Sequence, residues 1–238
     1  THCESSAASD VYKRQSRTRR RAVDRTASTP RQSRDRMTSF AIMSLPTPTT
    51  GAALRLFAAF LAHFHLSEFA FALRFNPQDV STRSFLLSRP YAAAMTCGVI
   101  EFAASSALMP ERKASLVRGT FYLGAFMCVF GEWLRKSAMC TAGAAFTHLI
   151  QTRRRATHVL VTEGAYAYAR HPGYLGWFIW ALGTQLVLGN VASVAAFAVV
   201  TWVYFKRRIT YEERHLRNMF SEYDAYAKRV RTWIPGIK

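Results

Sequence analysis

Acidic side chains are scarce in this chain: 14 Asp and Glu stand against 32 Lys and Arg in 238 residues, a formal charge of +18. Such an excess invites a nucleic-acid partner. Half of the residues are hydrophobic, however, and the basic clusters flank apolar blocks instead of covering a soluble face. That pattern argues against nucleic acid and for a membrane protein with basic cytosolic loops. Cysteine is sparse as well. Cys3, Cys97, Cys128 and Cys140 have neither metal nor redox spacing, so they read as packing residues in a reducing compartment. Large apolar side chains are nearly missing from residues 1–38, where ten Lys/Arg and four Asp/Glu are set among Ser and Thr. A stretch so composed cannot bury enough surface to offset chain entropy and is expected to be disordered. Residues 1–50 therefore read as a basic tail, similar in composition to a transit peptide. Position 1 is not Met, and Met37 or Met43 is an alternative start.

What is present is a series of apolar blocks. Residues 51–74, 91–109 and 116–134 each approach the roughly twenty residues that a bilayer requires. Arg55, His63, His65, Glu68, Glu101 and Glu132 interrupt them and should face protein or an aqueous cavity. His63 and His65, two apart, point to different helix faces and make a poor metal pair. Residues 138–150 are expected to continue the third helix out of the bilayer. Blocks 175–188 and 191–205, joined at Gly189-Asn190, are too short to span alone and read as a tight helical hairpin. Both of its outer ends are basic, which places them in the cytosol. Residues 209–238 read as a polar amphipathic helix. The fold class expected is all-α: an integral membrane helical bundle of about five spans, with a helical hairpin and a cytosolic C-terminal amphipathic helix. Residues 51–136 would be its membrane helices, and residues 137–238 its cofactor-binding loop, hairpin and catalytic region. Three spans before the hairpin put the basic tail in the lumen, against the positive-inside rule, so sequence upstream of this chain is expected.

Residues 157–174 concentrate the chemistry: two histidines, an arginine, three tyrosines, two glycines and a proline. Pro172 suits the first turn of a helix, whose free N–H groups beside Arg170 and His171 make a site for a carboxylate or phosphate. A capped membrane helix with interfacial Tyr, Trp and Arg anchors explains the same residues equally well. Arg208 and Glu212 share a helical face directed at the loop holding His171. Taken alone, they are as readily a surface i,i+4 ion pair. A metal site on His148, His158 and His171 is disfavoured, because no acidic or cysteine partner has ligand spacing.

Longer strings discriminate better. Phe146-Thr147-His148-Leu149-Ile150-Gln151, the run His158-Val159-Leu160-Val161-Thr162-Glu163-Gly164-Ala165-Tyr166, and Arg170-His171-Pro172-Gly173-Tyr174-Leu175-Gly176-Trp177-Phe178 resemble the isoprenylcysteine carboxyl methyltransferases. So do Gly183-Thr184-Gln185, Arg208-Ile209, Glu212-Glu213 and residues 220–226. Upstream, Leu66-Ser67-Glu68, Ser84-Phe85-Leu86-Leu87 and Phe130-Gly131-Glu132-Trp133-Leu134-Arg135-Lys136 fit too, so the resemblance covers residues 54–236. The Arg-His-Pro and Glu-Glu motifs are shared with a broader set of membrane methyltransferases and sterol reductases.

The resemblance implies S-adenosyl-L-methionine as cofactor, held by Gln151, His158, Val159, Leu160, Val161, Tyr166, His171, Pro172, Gly173, Tyr174 and Glu212. It implies Arg208 as the substrate contact, with Arg208, Glu212 and His171 (a positioning group, not a base) serving catalysis. Gly173 departs from the serine of some relatives and lacks its hydroxyl. The implied reaction is methyl esterification of the C-terminal carboxylate of a prenylated cysteine in CaaX-processed proteins, by a multi-pass enzyme of the endoplasmic reticulum membrane whose site faces the cytosol. The alternatives are a membrane phospholipid amine methyltransferase, for which Arg208 has the wrong charge, and a non-catalytic membrane scaffold. Prenyl preference and oligomeric state are not legible.

Overall fold

Thr49 starts the first helix, its hydroxyl accepting the Ala52 amide at 3.1 Å. In the computed structural model, which describes residues 45–153 and 159–237, α1 (Thr50–Phe75) follows and stops at Asn76-Pro77. Two 3-10 turns, Pro77–Asp79 and Thr82–Phe85, lead to α2 (Arg89–Leu108), which begins with Ser88 as cap and Pro90 in its first turn. Helix α3 (Pro110–Ala142) follows at once, then a 3-10 turn, Gly143–Ala145. After an extended stretch come the single turn α4 (Ala165–Tyr168), α5 (Pro172–Val187), α6 (Val191–Met219) and α7 (Tyr223–Arg229). Among the described residues there is no strand, only one isolated parallel bridge between Ala169 and Arg231. The segments Thr50–Phe75, Thr82–Leu108 and Pro110–Ala145 are long and apolar enough to cross a membrane. Helix α5, at 16 residues, is only about 24 Å long and packs along α3 instead of standing alone.

That packing is backbone against backbone. Gly124 and Gly131 on α3 face Gly183 and Gly176 on α5, and each pair is seven residues apart, so it returns to one helix face. A Cβ on Gly176 would lie 2.4 Å from the Gly131 carbonyl, and one on Gly124 2.4 Å from the Val187 amide nitrogen. Small residues permit such approach between membrane helices. Trp180 fills the space beside the seam, stacked on Phe64 of α1 at 4.2 Å, within a core that includes Phe57, Cys128, Val187 and Phe197.

The hairpin expected at Gly189-Asn190 is present, with Gly189 at φ +62. Lys113 holds its tip from below, donating to the Gly189 carbonyl (3.1 Å) and to Asn190 Oδ1 (2.7 Å). Asn190 in turn donates to the Gly98 carbonyl at 2.8 Å. Glu101 accepts the Ala192 and Ser193 amides at 3.0 and 2.7 Å, a carboxylate at the positive end of α6. Glu68, Glu101 and Glu132 all find protein partners, as their place in apolar blocks demanded. His63 and His65 do diverge: His63 meets Glu132 at 2.7 Å, and His65 meets the Phe85 carbonyl and the Tyr91 hydroxyl.

Three expectations need correction. Helix α3 does not continue through residue 150: Gly143, at φ +52, ends it and the chain turns back. Residues 209–238 are not a separate amphipathic helix. The polar part to Met219 is the uninterrupted extension of α6, because no Gly or Pro stands between Phe205 and Met219 and the charged residues there are good helix formers. Beyond it lie only α7 and an irregular tail. Of the thiols, Cys128 is buried against Trp180, but Cys97 and Cys140 are exposed and are not core packing.

Candidate active site

The site is assembled where α5 begins. Ala169 is extended, at φ −137 and ψ 136, and the Arg170 amide donates to the Arg231 carbonyl at 3.0 Å. The C-terminal tail thus runs beside the loop leading into Pro172, the first residue of α5. Two indoles pin the tail: Trp233 Nε1 donates to the Tyr168 carbonyl and Trp202 Nε1 to the Pro235 carbonyl, both at 2.6 Å. Ile234 and Ile237 fill the space against Phe205 and Ile209 of α6. The start of α5 is thus held in place by the tail.

Glu213 sits behind this corner. It accepts Arg170 Nε at 2.9 Å and Arg217 Nη2 at 3.1 Å and is hydrogen-bonded to His171 Nε2 at 3.2 Å. Burial by itself would raise the carboxyl, but the hydrogen bonds and charges of His171 and Arg170 override it and hold Glu213 at about 2. Arg170 Nη1 also donates to the Ala227 and Val230 carbonyls. Arg170 is thus tied to Glu213 and to the carbonyls that follow α6, and it still lines the cavity at this corner. His171 is buried, with its ring stacked on Tyr174 at 5.5 Å between centroids.

One helical turn ahead of Glu213 the arrangement differs. Arg208 and Glu212 do project together from α6, but they form no ion pair with each other. Both meet the Tyr174 hydroxyl, which donates to Glu212 Oε2 at 2.6 Å and accepts from Arg208 Nε at 2.8 Å. Arg208 Nη2 also donates to the His148 carbonyl at 2.7 Å. The His171 ring lies 3.9 Å from Glu212. An arginine, a carboxylate and a phenol are thus held in one plane of contact beside the α5 N-terminus.

A cavity opens against them. Val159, Leu160, Val161, Tyr166, His171, Gly173, Tyr174 and Glu212 line it, together with Phe146, Thr147, Leu216, Tyr223 and Tyr226. Pro172 is absent from the lining and acts by starting the helix. Gln151 is not brought here: it lines a second cavity, with Phe71, Asn76, Arg83 and His148, on the other side of Phe146 and Thr147. The segment 146–151 turns the Gln151 side chain back to the Leu149 carbonyl. His158 lies outside the described residues. Arg208 stands at the outer edge, beside Tyr204, Arg207 and Tyr211.

The match to known proteins is extensive. The family model for isoprenylcysteine carboxyl methyltransferases covers residues 123–218. A protein-S-isoprenylcysteine O-methyltransferase of Schizosaccharomyces pombe is 40% identical over 203 residues, 79% of this chain and 85% of that protein. A second, from Arabidopsis thaliana, is 44% identical over 176 residues, 73% of this chain and 88% of the relative. The chain belongs to the isoprenylcysteine carboxyl methyltransferase family. The solved structure of a eukaryotic intramembrane Ras methyltransferase of that family superposes with a TM-score of 0.76 at 38% identity, over 81% of this chain and 70% of the other. The chain is accordingly an all-helical, multi-pass membrane protein.

Sequence reasoning passed over several residues that build this methyltransferase-family site. Glu68, fully buried, receives Arg135 Nε and Nη2 at 2.7 Å each, Lys136 at 2.5 Å, and a hydrogen bond to His148 at 2.8 Å. The signal available was a lone acid amid an apolar block and an Arg-Lys pair in another, but nothing in the sequence paired them. Tyr223 lines the cavity, and among the described residues its buried hydroxyl has no partner in hydrogen-bonding geometry, although the Glu213 carboxylate acts on it. Burial, then the neighbouring Glu213 carboxylate, push that hydroxyl above its ordinary value. Tyr226, raised to about 12 by burial, instead donates to the Tyr166 carbonyl at 2.7 Å.

Proposed function

We propose that this chain methylates the C-terminal carboxylate of prenylated cysteine in CaaX-processed proteins, with S-adenosyl-L-methionine as donor. The observation that carries the reading is the pairing of Arg208 and Glu212 on one hydroxyl, that of Tyr174, beside a helix N-terminus. A C-terminal carboxylate ionises near pH 3.5, so the acceptor is already an anion and needs no general base. Arg208 is the cation that orients it, from a face open to the outer edge of the site. Its hold must be moderate, since the acceptor loses its charge in the ester. Bound, the cofactor supplies an electrophilic methyl on a sulfonium. The lining fits such a molecule: Glu212 suits its cationic parts, the first turn of α5 suits its carboxylate, and Val159, Leu160 and Leu216 suit an apolar ring. Among the described residues the Tyr223 hydroxyl has no acceptor in hydrogen-bonding geometry, which leaves it as a donor for the same ligand.

At about 130 Å³ the lined cavity is smaller than the second, at about 390 Å³. Small-molecule sites begin at roughly 300 Å³, so the ligand extends past Phe146 and Thr147 and brings Gln151 back into the site, while the His148 ring stays turned to Glu68 and away from it. His171 acts by position: its ring fixes Tyr174 by stacking and Glu213 by hydrogen bond. The enzyme's work is proximity, bringing the carboxylate oxygen within about 3–3.5 Å of the methyl.

The same reading places the protein in the endoplasmic reticulum membrane, with the hairpin helices bringing the count to about five spans. The polar end of α6 and α7 then face the cytosol, and the chain divides into membrane helices (51–136) and a reaction-bearing part (137–238). A prenyl chain is as apolar as the lipid around it, and the bilayer delivers it. The test is transfer of labelled methyl groups to N-acetyl-farnesylcysteine in membranes carrying the chain. Base-labile label on the cysteine derivative is expected. Label on lipid amines instead would replace this reading with a phospholipid methyltransferase, and no label on either would leave a scaffold.

A further inference from the structure

Glu68 lies on α1, far from the α5–α6 corner in sequence, yet two chains of hydrogen bonds run from its carboxylate to opposite sides of the site. In the first, Arg135 spends Nε and Nη2 on Glu68 and donates its third nitrogen, Nη1, to the Gly173 carbonyl at 3.0 Å, in the first turn of α5. In the second, His148 holds Glu68 Oε2 with its ring, and its own backbone carbonyl receives Arg208 Nη2. The segment carrying His148 is tied to α1 once more, by Asn76 Nδ2 on the Phe146 carbonyl at 2.6 Å.

We propose that Glu68 is a positioning residue for the methyl transfer, setting the Gly173–Tyr174 side of the site against Arg208 through Arg135 and His148. The inference rests on the reading of Arg208 as the carboxylate's partner and of the α5 first turn as the cofactor's. A buried carboxylate that needed only neutralising would be matched by Arg135 alone. Here the remaining guanidinium nitrogen is directed at a backbone carbonyl of the helix that lines the cavity, and the histidine at the segment that carries the Arg208 contact. Apolar residues of similar volume would serve stability as well as a buried ion cluster does. They would not fix two reactant-binding elements to one point. Direct methyl transfer depends on that registration, because displacement of about 1 Å between reacting groups can cost around a hundredfold in rate.

Steady-state kinetics in membranes, with both Michaelis constants measured, separate the two arms. His148→Ala is expected to raise KM for N-acetyl-farnesylcysteine by about tenfold. Its KM for S-adenosylmethionine should stay within about twofold of the parent. His148→Gln, which keeps a donor near the ring nitrogen, should recover most of the loss. Arg135→Lys keeps the charge but cannot reach Glu68 and Gly173 together, and should raise the cofactor KM while sparing the other. Glu68→Gln should raise both. Unchanged KM and kcat in His148→Ala and Arg135→Lys, or a shift of the same Michaelis constant in both, would overturn the proposal. Should Glu68→Gln fail to accumulate in membranes, the His148 pair still decides, since that side chain sits in the 146–151 segment and not in the α1–α3 interface. A parent that makes no ester refutes the proposed reaction; an active parent without the split refutes only the role of Glu68.

Discussion

Arg135 with Glu68 and Arg170 with Glu213 meet directly, at 2.7 and 2.9 Å, through side chains no more than 5% exposed. Arg208 and Glu212 share Tyr174 instead, and Glu212 keeps 26% of its side chain open. In the first two pairs the guanidinium also holds backbone, Arg135 the Gly173 carbonyl and Arg170 those of Ala227 and Val230. The third is arranged by a neutral phenol that keeps both charges in place without letting them cancel. Closed pairs build the corner, and the open pair is the one that, through Glu212, still reaches solvent. Adjacent glutamates on α6, Glu212 and Glu213, fall on opposite sides of this division because successive helix positions face about 100° apart.

The largest effect expected is on a closed pair. Glu213→Ala leaves Arg170 and His171 buried without their partner and should cost about 3–5 kcal/mol, read as a lowered unfolding temperature in detergent. Glu213→Gln gives the matching pH test. With the carboxyl held at about 2 against an ordinary 4.5, the depressed group contributes stability that is complete above about pH 4.5 and is lost as the pH falls towards 2. The parent should lose stability over that window, and the Gln variant should lose less. Equal slopes would mean that Glu213 is not the closed pair's charge. On the open pair the prediction reverses. Arg208→Ala should leave the unfolding temperature near the parent's yet lower kcat/KM for the prenylcysteine by roughly a hundredfold, the loss of a charged clamp. A variant destabilised as much as Glu213→Ala would erase the distinction.

The sequence carried the open pair better than the closed ones. Spacing of four put Arg208 and Glu212 on one face, and Pro172 marked the start of α5, because both facts are local to a single helix. The hairpin was visible for the same reason, as two short apolar blocks around Gly189-Asn190. Glu68 with Arg135, and Lys113 with Asn190, are pairings across 67 and 77 residues, which no local period encodes. The glycine seam left a trace, since 124/131 and 176/183 repeat at seven, but a repeat of two glycines does not name its partner. That Gln151 faces the second cavity was not legible, because its position depends on how the 146–151 segment runs after Gly143, a tertiary outcome. The unbroken run of α6 was hidden by its change from valine-rich to charged, a change of environment and not of helix propensity.

A smaller effect sharpens the comparison from the ligand's side. Glu212→Gln keeps the acceptor for Tyr174 but removes the negative charge, and should raise the cofactor KM by about tenfold while the prenylcysteine KM changes little. If both constants rose together, the open pair would be acting as a unit on one ligand instead of serving two.

The smallest effect concerns Tyr223, whose hydroxyl is buried at the cavity wall and has no partner among the described residues. An unsatisfied buried hydroxyl costs stability, so Tyr223→Phe should leave the free protein as stable as the parent or slightly more so. If a ligand in the cavity accepts that hydroxyl, the same variant should bind S-adenosylmethionine a few-fold more weakly, by the roughly 0.5–1.5 kcal/mol of a neutral hydrogen bond. Opposite signs on stability and affinity from removal of one oxygen are what separate a ligand donor from a packing residue. Unchanged affinity with raised stability would assign Tyr223 to packing and leave the cavity to Glu212 and the first turn of α5.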